Sequence, residues 1–267
     1  MDPASLNKKA QELKALHQPG NPVIFANVYD IPSSRVVAGL PSCKALATAS
    51  FAVARAYGLE DKDLTLETNL QAVRRIGRVA CEFNKPLTVD IQDAYGDRLE
   101  EAIVGLIERG AVGCNLEDCN METNEMYAPD EAVDRIKRAL TVARAEGIPD
   151  FVLNARCDVL LHGGDMEEVF TRGKMYLAAG ATSVFVLGGR SRGGVKTEEI
   201  KRLVKEFDGR LNVSCQLMVP GKLSVKEIAE LGVSRISVGP QMLFKATEAI
   251  ETEAEKLLSG ISIRNGD

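Results

Sequence analysis

The chain has 267 residues, of which 45% are hydrophobic and 27% charged, the composition of an ordinary globular protein. Its 33 Lys and Arg against 38 Asp and Glu give a net charge of −5; no basic block stands out, which argues against a nucleic-acid partner because phosphate neutralisation supplies most of that affinity. No apolar run has the roughly 20 residues of a membrane helix and no apolar signal core opens the chain, and six cysteines without a Cys-x-x-Cys pair lead us to expect reduced thiols in a cytoplasmic protein.

Short apolar runs alternate with longer amphipathic segments along the whole chain. After a leading helix at Leu6–Leu16, the predicted strands are Val23–Ala26, Ala45–Thr48, Leu87–Val89, Val112–Leu116, Phe151–Ala155, Ser183–Val186, Leu211–Ser214 and Arg235–Val238. The helices between and after them are Ser33–Ala38, Leu64–Phe83, Arg98–Arg109, Asp130–Glu146, Asp165–Ala179, Thr197–Phe207, Ser224–Leu231 and Gln241–Leu258.

The same helix–glycine–strand joint recurs at Gly110, Gly180 and Gly232. Eight strands, each followed by a helix, imply parallel strands joined by right-handed crossovers. The pattern predicts an α/β protein that is a single (β/α)8 (TIM) barrel with a leading N-terminal helix and a C-terminal helix. A doubly wound sheet, the alternative, would be favoured by a glycine-rich turn after the first strand, which residues 27–32 lack. We assign residues 1–20 to an N-terminal helical segment, 21–260 to the barrel and 261–267 to a frayed tail.

Acidic residues follow the predicted strands three, four and five, whose carboxyl ends share one rim of a barrel. Converging carboxylates repel one another unless a cation or protons lie between them. An oxygen donor set without a suitable His favours Mg²⁺ or Mn²⁺. Arg156, beside these acids, offers a planar fork for a substrate carboxylate. Capping of the next helices is the alternative role of Asp30, Asp93 and Asp118.

Six segments, in order and each on its expected strand, resemble the isocitrate lyase / phosphoenolpyruvate mutase superfamily. They are Asn27–Asp30, Ala47–Ser50 with Gly58–Asp61, Val89–Gly96, Asn115–Asp118, Asn154–Asp158 and Glu230–Pro240. The resemblance covers residues 22–260. It implies the (β/α)8 fold and action on 2-oxo or 2-hydroxy acids through Mg²⁺-stabilised enolates.

The resemblance also implies a metal site for Mg²⁺ or Mn²⁺. Asp90 and Glu117 correspond to its acids, and Gln92 stands where the superfamily has a second Asp that binds the metal directly. A Gln carbonyl still binds Mg²⁺ but brings no charge, so we expect a lower affinity. Asp93, one position on, is a weaker candidate that requires the turn to shift.

The substrate site implied by the resemblance draws on several strand ends. Arg156 corresponds to the arginine that holds the substrate carboxylate, and Ser50 with Phe51 to the loop whose backbone amides contact that acid. The further candidates are Asp61, in the same polar network, Tyr29, beside the pocket, and Asn115, for substrate binding.

The loop at residues 119–127 departs from two branches of the superfamily. It lacks the Lys-Lys-Cys-Gly motif of the lyase branch, which disfavours isocitrate cleavage, and has no Lys as in the mutase branch. We therefore predict a Mg²⁺-dependent lyase or decarboxylase that cleaves a C–C bond in an oxaloacetate-like or substituted-malate-like acid. The alternatives are P–C bond mutase or hydrolase chemistry on a phosphonopyruvate-like acid, and a non-catalytic dicarboxylate-binding barrel.

The predicted partners are a small carboxylic acid and further copies of the chain, with no nucleic acid and no membrane. Superfamily members are commonly tetramers in which C-terminal helices pack on neighbours, and the amphipathic segment Gln241–Leu258 is consistent with a homo-oligomer, a tetramer or a dimer. The same apolar face would equally close the chain's own barrel.

Overall fold

Eight parallel strands form a nearly closed barrel in the computed structural model, which describes residues 2–189 and 191–260. The strands are β1 Val23–Phe25, β2 Leu46–Ala47, β3 Leu87–Asp90, β4 Gly113–Glu117, β5 Val152–Cys157, β6 Ser183–Val186, β7 Leu211–Ser214 and β8 Arg235–Ser237. They are hydrogen-bonded in the order β1-β8-β7-β6-β5-β4-β3-β2. A bridge between Val28 and Thr48, just past β1 and β2, brings the two edges together. The predicted (β/α)8 barrel is confirmed, and the predicted tail 261–267 lies outside the described residues.

Ten α-helices occur within the described ranges. They are α1 Pro3–Ala15, α2 Ile31–Ala38, α3 Ser50–Ala56, α4 Leu66–Glu82, α5 Leu99–Glu108, α6 Pro129–Ala145, α7 Met166–Ala178, α8 Thr197–Glu206, α9 Val225–Glu230 and α10 Gln241–Leu258. The sequence predicted all of them except α3. That helix has seven residues, and its N-cap Ala49 makes no side-chain hydrogen bond, so the usual start signal is missing.

Two sequence patterns explain how the helices are set against the barrel. The predicted apolar face of α4 is buried at Leu66, Val73 and Ile76, and the hydroxyl of Thr65 accepts the amide hydrogen of Thr68 at its start. The repeated glycine joint is confirmed as well, because Gly180 has a φ of 108°, a left-handed conformation that a side chain would strain. At each of the three joints, only four residues separate the end of the helix from the start of the next strand.

The leading helix α1 covers the amino-terminal end of the barrel. Leu13 is fully buried, and a Cβ placed on Gly113, at the start of β4, would lie 3.2 Å from its side chain. His17, just after α1, is half-buried, and its Nδ1 is 2.8 Å from the carbonyl oxygen of Leu13. Helix α1 therefore covers this end of the barrel, and the predicted site lies at the other end, where the strands have their carboxyl ends.

Polar side chains fill much of the barrel interior. Asp90, Asn115, Asn154 and Ser183 are neighbours in the register of β3 to β6, and all are buried. The Asn115 side chain also contacts Arg235 of β8, on the far side of the barrel, so this layer crosses the interior. Burying such polar groups costs free energy unless they pair with one another, and Asp90 connects this layer to the predicted site.

The C-terminal helix α10 leaves most of its apolar residues in solvent. None of its residues is fully buried, and Ile250, Leu257 and Leu258 are 69%, 69% and 85% exposed. Only its start packs on the barrel, through the half-buried Met242 and Leu243. Within the described ranges, no helix combines the length and hydropathy needed to cross a membrane.

Candidate active site at the carboxyl ends of the strands

Two buried carboxylates, one at the end of β3 and one at the end of β4, form the centre of the site. Oδ2 of Asp90 accepts the backbone amide hydrogen of Ser50 at 2.9 Å, while its Oδ1 has no hydrogen-bond partner. Oε2 of Glu117 is likewise buried without a partner. Each acid thus keeps one unsatisfied oxygen, which is costly in a low-dielectric interior unless a cation or proton binds there.

Arg156 on β5 lies between these acids and the next strand end. Its Nη1 forms an ion pair with Oε1 of Glu117, and its Nε and Nη2 each donate to the carboxylate of Asp158 at 2.8 Å. The fork predicted to hold a substrate therefore already contacts two protein carboxylates. Three of the five guanidinium hydrogens are used in this way, and one on each terminal nitrogen remains for a further acceptor.

Ser50 is the first residue of α3 rather than part of a loop. Its backbone amide donates to Asp90, and its hydroxyl is hydrogen-bonded to Asp61. The first amides of a helix have no partner within the helix and readily bind anions. The structure therefore joins three sequence-predicted residues, Ser50, Asp61 and Asp90, in one hydrogen-bonded group.

Gln92 completes this group from a strained turn after β3. Its Nε2 donates to the backbone carbonyl of Asp61 at 2.8 Å and to the Asp61 carboxylate at 3.1 Å. The residue has a φ of 53°, and Ala94 and Tyr95 also have positive φ, so three non-glycine residues of one turn lie in the left-handed region. Such strain persists only where the surroundings hold it, which is typical of functional sites.

Asp93 points away from the two central acids. Its Oδ2 accepts the hydroxyl hydrogen of Tyr127 at 2.9 Å, and its Oδ1 accepts the amide hydrogen of Tyr95 at 3.1 Å. The guanidinium of Arg135 donates to the Asp93 backbone carbonyl and lies 4.3 Å from the centre of the Tyr127 ring. The Asp93 carboxylate thus stabilises the turn that presents Gln92, and its hydrogen-bond partners are backbone and tyrosine groups.

Asn115, two residues before Glu117 on β4, is paired with Asp90 in the strand register. Its Oδ1 accepts hydrogen bonds from Nδ2 of Asn154 at 2.8 Å and from Nη2 of Arg235 at 3.0 Å. The structure thus brings Asn115 close to the central acids, as expected of a substrate-binding candidate.

Three candidates from the first two strands have less direct contacts with the acids. Tyr29 is 8% exposed, and burial, with the charge of Asp30, raises the pKa of its hydroxyl. Asp30 caps α2 by accepting the amide hydrogen of Ser33 at 2.8 Å, so its capping role is confirmed. Phe51 packs edge-on against the Phe244 ring, with ring centres 5.8 Å apart, and so links α3 to α10.

A second row of buried residues supports Arg156, and its two members on α7 were missed from the sequence. Oδ1 of Asp118 accepts the amide hydrogen of Asp158 at 2.8 Å, and its Oδ2 accepts the hydroxyl hydrogen of Tyr176 at 2.6 Å. Arg172 lies 3.8 Å from the same carboxylate. Tyr176 and Arg172 fall in the middle of α7, where residue type alone gives no signal of a polar role.

The carboxylates of the site are poorly stabilised in their charged forms. Burial raises the pKa of Glu117 well above its usual range, against the opposing effect of Arg156. Burial and the charge of Asp90 raise the pKa of Asp61. Burial and the charge of Asp158 raise the pKa of Asp118 to about 6. Additional positive charge at the mouth would relieve all three effects.

The donor set fits a hard divalent cation of modest affinity. Asp90 and Glu117 each offer an unpaired oxygen, and the Gln92 amide nitrogen is held by Asp61, which leaves its carbonyl oxygen as the third oxygen donor. Among the described residues, no group of three or more His, Cys, Asp or Glu side chains has the arrangement to hold a metal ion by itself.

A comparison with protein families identifies the chain. The profile described as "Phosphoenolpyruvate phosphomutase" matches residues 13–258, nearly the whole chain. The chain belongs to the phosphoenolpyruvate phosphomutase family. A crystal structure of a Burkholderia cenocepacia protein assigned as a phosphonomutase is 34% identical, covers 96% of this chain and 99% of its own, and superposes with a TM-score of 0.81.

Other relatives show the range of chemistry in the family. Oxaloacetate decarboxylase 1 of Pseudomonas fluorescens is 26% identical over 242 residues, 84% of this chain and 76% of its own. A phosphonopyruvate hydrolase, crystallised with oxalate and Mg²⁺, shares the fold with a TM-score of 0.80 at 24% identity, over 97% of this chain and 90% of its own. Family members are lyases, mutases and hydrolases of small acids, which supports an enzyme here too.

Proposed function

We propose that the protein is a Mg²⁺-dependent lyase of the decarboxylase type, acting on a small 2-oxo or 2-hydroxy dicarboxylic acid that resembles oxaloacetate or a substituted malate. The observation that carries this proposal is the juxtaposition of two buried acids, each with an unsatisfied oxygen, and an arginine with two unused donor hydrogens. Similarity to an oxaloacetate decarboxylase supports the choice of substrate class.

The cation is assigned to the residues whose donors are free. Asp90 and Glu117, with the Gln92 carbonyl, would hold Mg²⁺ or Mn²⁺. When bound, the ion supplies positive charge next to the oxygen on which negative charge develops. Asp93 would act only by stabilising the turn that presents Gln92.

Arg156 is assigned to the substrate carboxylate. Its two remaining hydrogens, one on each terminal nitrogen, match the two oxygens of a carboxylate. Asp158 holds Nε and Nη2 from the opposite side and so fixes the plane of the guanidinium. In the decarboxylation of oxaloacetate, the bond between C3 and C4 breaks, carbon dioxide leaves, and the electron pair moves towards the 2-oxo oxygen. The product enolate then takes one proton at C3 to become pyruvate.

The other candidates are assigned supporting roles in the pocket. Ser50 holds Asp90 and Asp61 in place, and Asp61 holds Gln92. Asn115 offers an amide to the substrate, while Phe51 and Tyr29 bound the pocket on the side of β1 and α3. Tyr29, with its raised pKa, keeps its hydroxyl hydrogen at neutral pH.

A direct assay tests the proposal. Purified protein with about 5 mM MgCl₂ is given oxaloacetate, several substituted malates and phosphonopyruvate in parallel, and pyruvate formation is followed. We expect magnesium-dependent turnover of a dicarboxylate that is lost in Asp90→Ala and Glu117→Ala. Turnover of phosphonopyruvate alone would instead favour P–C bond chemistry, for which the likeness to a phosphonomutase is the supporting observation.

A binding protein without turnover is the remaining candidate, favoured by Gln92 in place of an acid. Both candidates predict thermal stabilisation by oxalate with Mg²⁺, and only an enzyme turns over substrate, so the oxalate melt and the turnover assay together separate them. Stabilisation by oxalate without turnover of any acid would assign the chain to binding.

We also propose that the protein is a cytoplasmic homo-oligomer, a tetramer or a dimer, with no nucleic acid or membrane partner. The exposed apolar residues of α10 support the oligomer, because a second copy would cover them. All six cysteines are free thiols, as expected in a reducing compartment.

A further inference from the structure

A full positive charge is buried in the barrel below the acids. Arg235, the first residue of β8, is 1% exposed, and its guanidinium lies 4.6 Å from the centre of the Phe25 ring. No carboxylate of the described chain forms an ion pair with it, and its Nε and Nη1 have no hydrogen-bond partner. Burying an unpaired cation is expensive, so its retention calls for a specific contact.

Arg235 has one hydrogen bond, and it is to Asn115 on the opposite side of the barrel. Its Nη2 donates to Asn115 Oδ1 at 3.0 Å. The neighbouring titratable groups do not compete for it: burial and the Arg235 charge lower the pKa of His17 to about 3, so His17 is neutral. Burial lowers the pKa of Arg235 itself to about 9, against the opposing effect of Asp90, so the guanidinium is charged at neutral pH. Cys114 also lies nearby, as a buried thiol.

This contact fixes which way the Asn115 amide faces. Oδ1 accepts from Arg235 and also from Nδ2 of Asn154, whose own Oδ1 accepts the hydroxyl hydrogen of Ser183 at 2.6 Å. The three bonds determine the orientation of both amides, because a flipped Asn115 would set its NH₂ group against two donors. The Nδ2 of Asn115 is left without a partner in the described structure, next to Asp90 in the strand register.

We propose that Arg235 is a positioning residue: it locks the Asn115 amide so that Nδ2 donates to an oxygen of the bound acid beside Asp90. The proposal rests on the proposed function for its ligand. It adds a selective donor to the site, which favours a substrate with an acceptor oxygen at that place. A carboxylate or carbonyl oxygen meets this need, and an alkyl group there leaves the donor unpaired.

Asn115→Asp is the sharpest test. The Asp side chain has the same shape as Asn and still accepts hydrogen bonds from Arg235 and Asn154, but an acceptor oxygen replaces the free NH₂ donor. We expect oxalate, titrated by calorimetry at saturating Mg²⁺, to bind at least about tenfold more weakly with thermal stability retained. Arg235→Met should weaken oxalate similarly, and Arg235→Lys, whose ammonium can still donate to Asn115, should recover most of the loss. Unchanged oxalate binding in Asn115→Asp would overturn the proposal.

A double-mutant cycle separates action through Asn115 from a general effect on the barrel. In an Asn115→Ala background, Arg235→Met should change the oxalate affinity by less than about twofold. If Arg235→Met weakens oxalate binding as much in the Asn115→Ala background as in the wild type, Arg235 does not act through Asn115. If Arg235→Met does not fold, Arg235→Leu in both backgrounds replaces it, and the comparison of Asn115→Asp with the wild type still tests the free donor.

The side-chain amide of Asn115 gives a readout that needs no ligand. In protein labelled with ¹⁵N-asparagine, the Asn115 NH₂ signal is the one absent from Asn115→Asp. We expect it to be shifted and broadened in Arg235→Met and restored in Arg235→Lys; an unchanged signal would refute the positioning role. Wild-type protein that fails to bind oxalate with Mg²⁺ would overturn the proposed function, while these spectra still decide whether Arg235 orients Asn115.

Discussion

The amide nitrogen of Gln92 lies 2.8 Å from the backbone carbonyl oxygen of Asp61 and 3.1 Å from its carboxylate. Two neighbouring acceptors fix the orientation of this amide, so its carbonyl oxygen is the atom left for a ligand. The bond also draws Asp61 towards the two central acids. An uncharged side chain therefore does two things here: it reduces the number of like charges, and it connects the β2 loop to the turn after β3.

Gln92→Asp should raise the affinity for Mg²⁺ by about tenfold, because it adds a negative charge to the donor set. Asp tolerates the left-handed backbone at this position better than most residues. The same change places another carboxylate beside Asp61 and Asp90, so the metal-free protein should become less stable. Calorimetric titration with MgCl₂ and thermal melts with and without the ion measure both effects.

Gln92→Asn is the matched control, since it shortens the side chain equally but adds no charge. We expect it to bind Mg²⁺ no better than the wild type. Equal affinity of the Asp and Asn variants would show that Gln92 does not contribute to the cation site.

Arg156→Lys should lower kcat/KM by about 100-fold or more, because an ammonium group does not match a carboxylate with two parallel hydrogen bonds. Arg156→Gln should in addition destabilise the fold by about 3–5 kcal/mol, since it leaves Glu117 and Asp158 buried without their counter-ion. Steady-state kinetics and urea unfolding measure the two variants. Full activity in Arg156→Lys would contradict the assigned role.

Asp118 gives the metal-free protein a predictable dependence on pH. Its pKa is raised from 3.8 to about 6 by folding, chiefly through burial. The folded state therefore holds the proton more tightly, and the stability that Asp118 contributes is present below pH 3.8 and is lost as the pH rises through about 6. Over that window the loss should be about 1–3 kcal/mol.

Asp118→Asn removes this titration while keeping an oxygen that accepts from the Asp158 amide. Relative to this variant, the melting temperature of the wild type should fall as the pH rises from about 5 to about 7.5, in buffers without divalent ions. If the melting temperatures of the two proteins change with pH in the same way over that range, Asp118 is not the group that titrates.

The sequence predicted the architecture well because each unit of the barrel repeats the same signals. The apolar face of Leu64–Phe83 and the joint at Gly180 are local features, and the structure has both. The short helix at Ser50–Ala56 was missed because no capping side chain precedes it. Local sequence patterns thus predicted the helices that have a periodic apolar face or a capping residue.

The site was predictable only in part. Strand ends pointed to Asp90, Glu117 and Arg156, and the structure brings these three together at one rim. The sequence did not predict the orientation of these side chains. Asp93 directly follows Gln92, yet a strained turn directs the two side chains to different partners. The contact of Asn115 with Arg235 joins residues 120 positions apart, and a single sequence gives no signal for such a pair.

Cys119 follows the acids directly, but its thiol is expected to take no part in turnover. Burial, with the charges of Asp158 and Glu117, raises the pKa of Cys119 to about 11, so the reactive thiolate is rare at neutral pH. Cys119→Ser should retain kcat and KM within about twofold in the steady-state assay. A loss of more than about tenfold in kcat would require the thiol in the reaction, as an acid or a nucleophile.

Ile250 and Leu257, both 69% exposed on α10, should hold copies of the chain together. Replacing both with Glu puts charges into the proposed contact, where each would lose its water on association. We expect light scattering to give a smaller assembly for this double variant than for the wild type, with an unchanged circular dichroism spectrum. Glu251→Gln, at an exposed neighbouring position, is the control and should keep the wild-type mass. A wild type that is already a monomer, or a double variant of unchanged mass, would exclude this face as the oligomer contact.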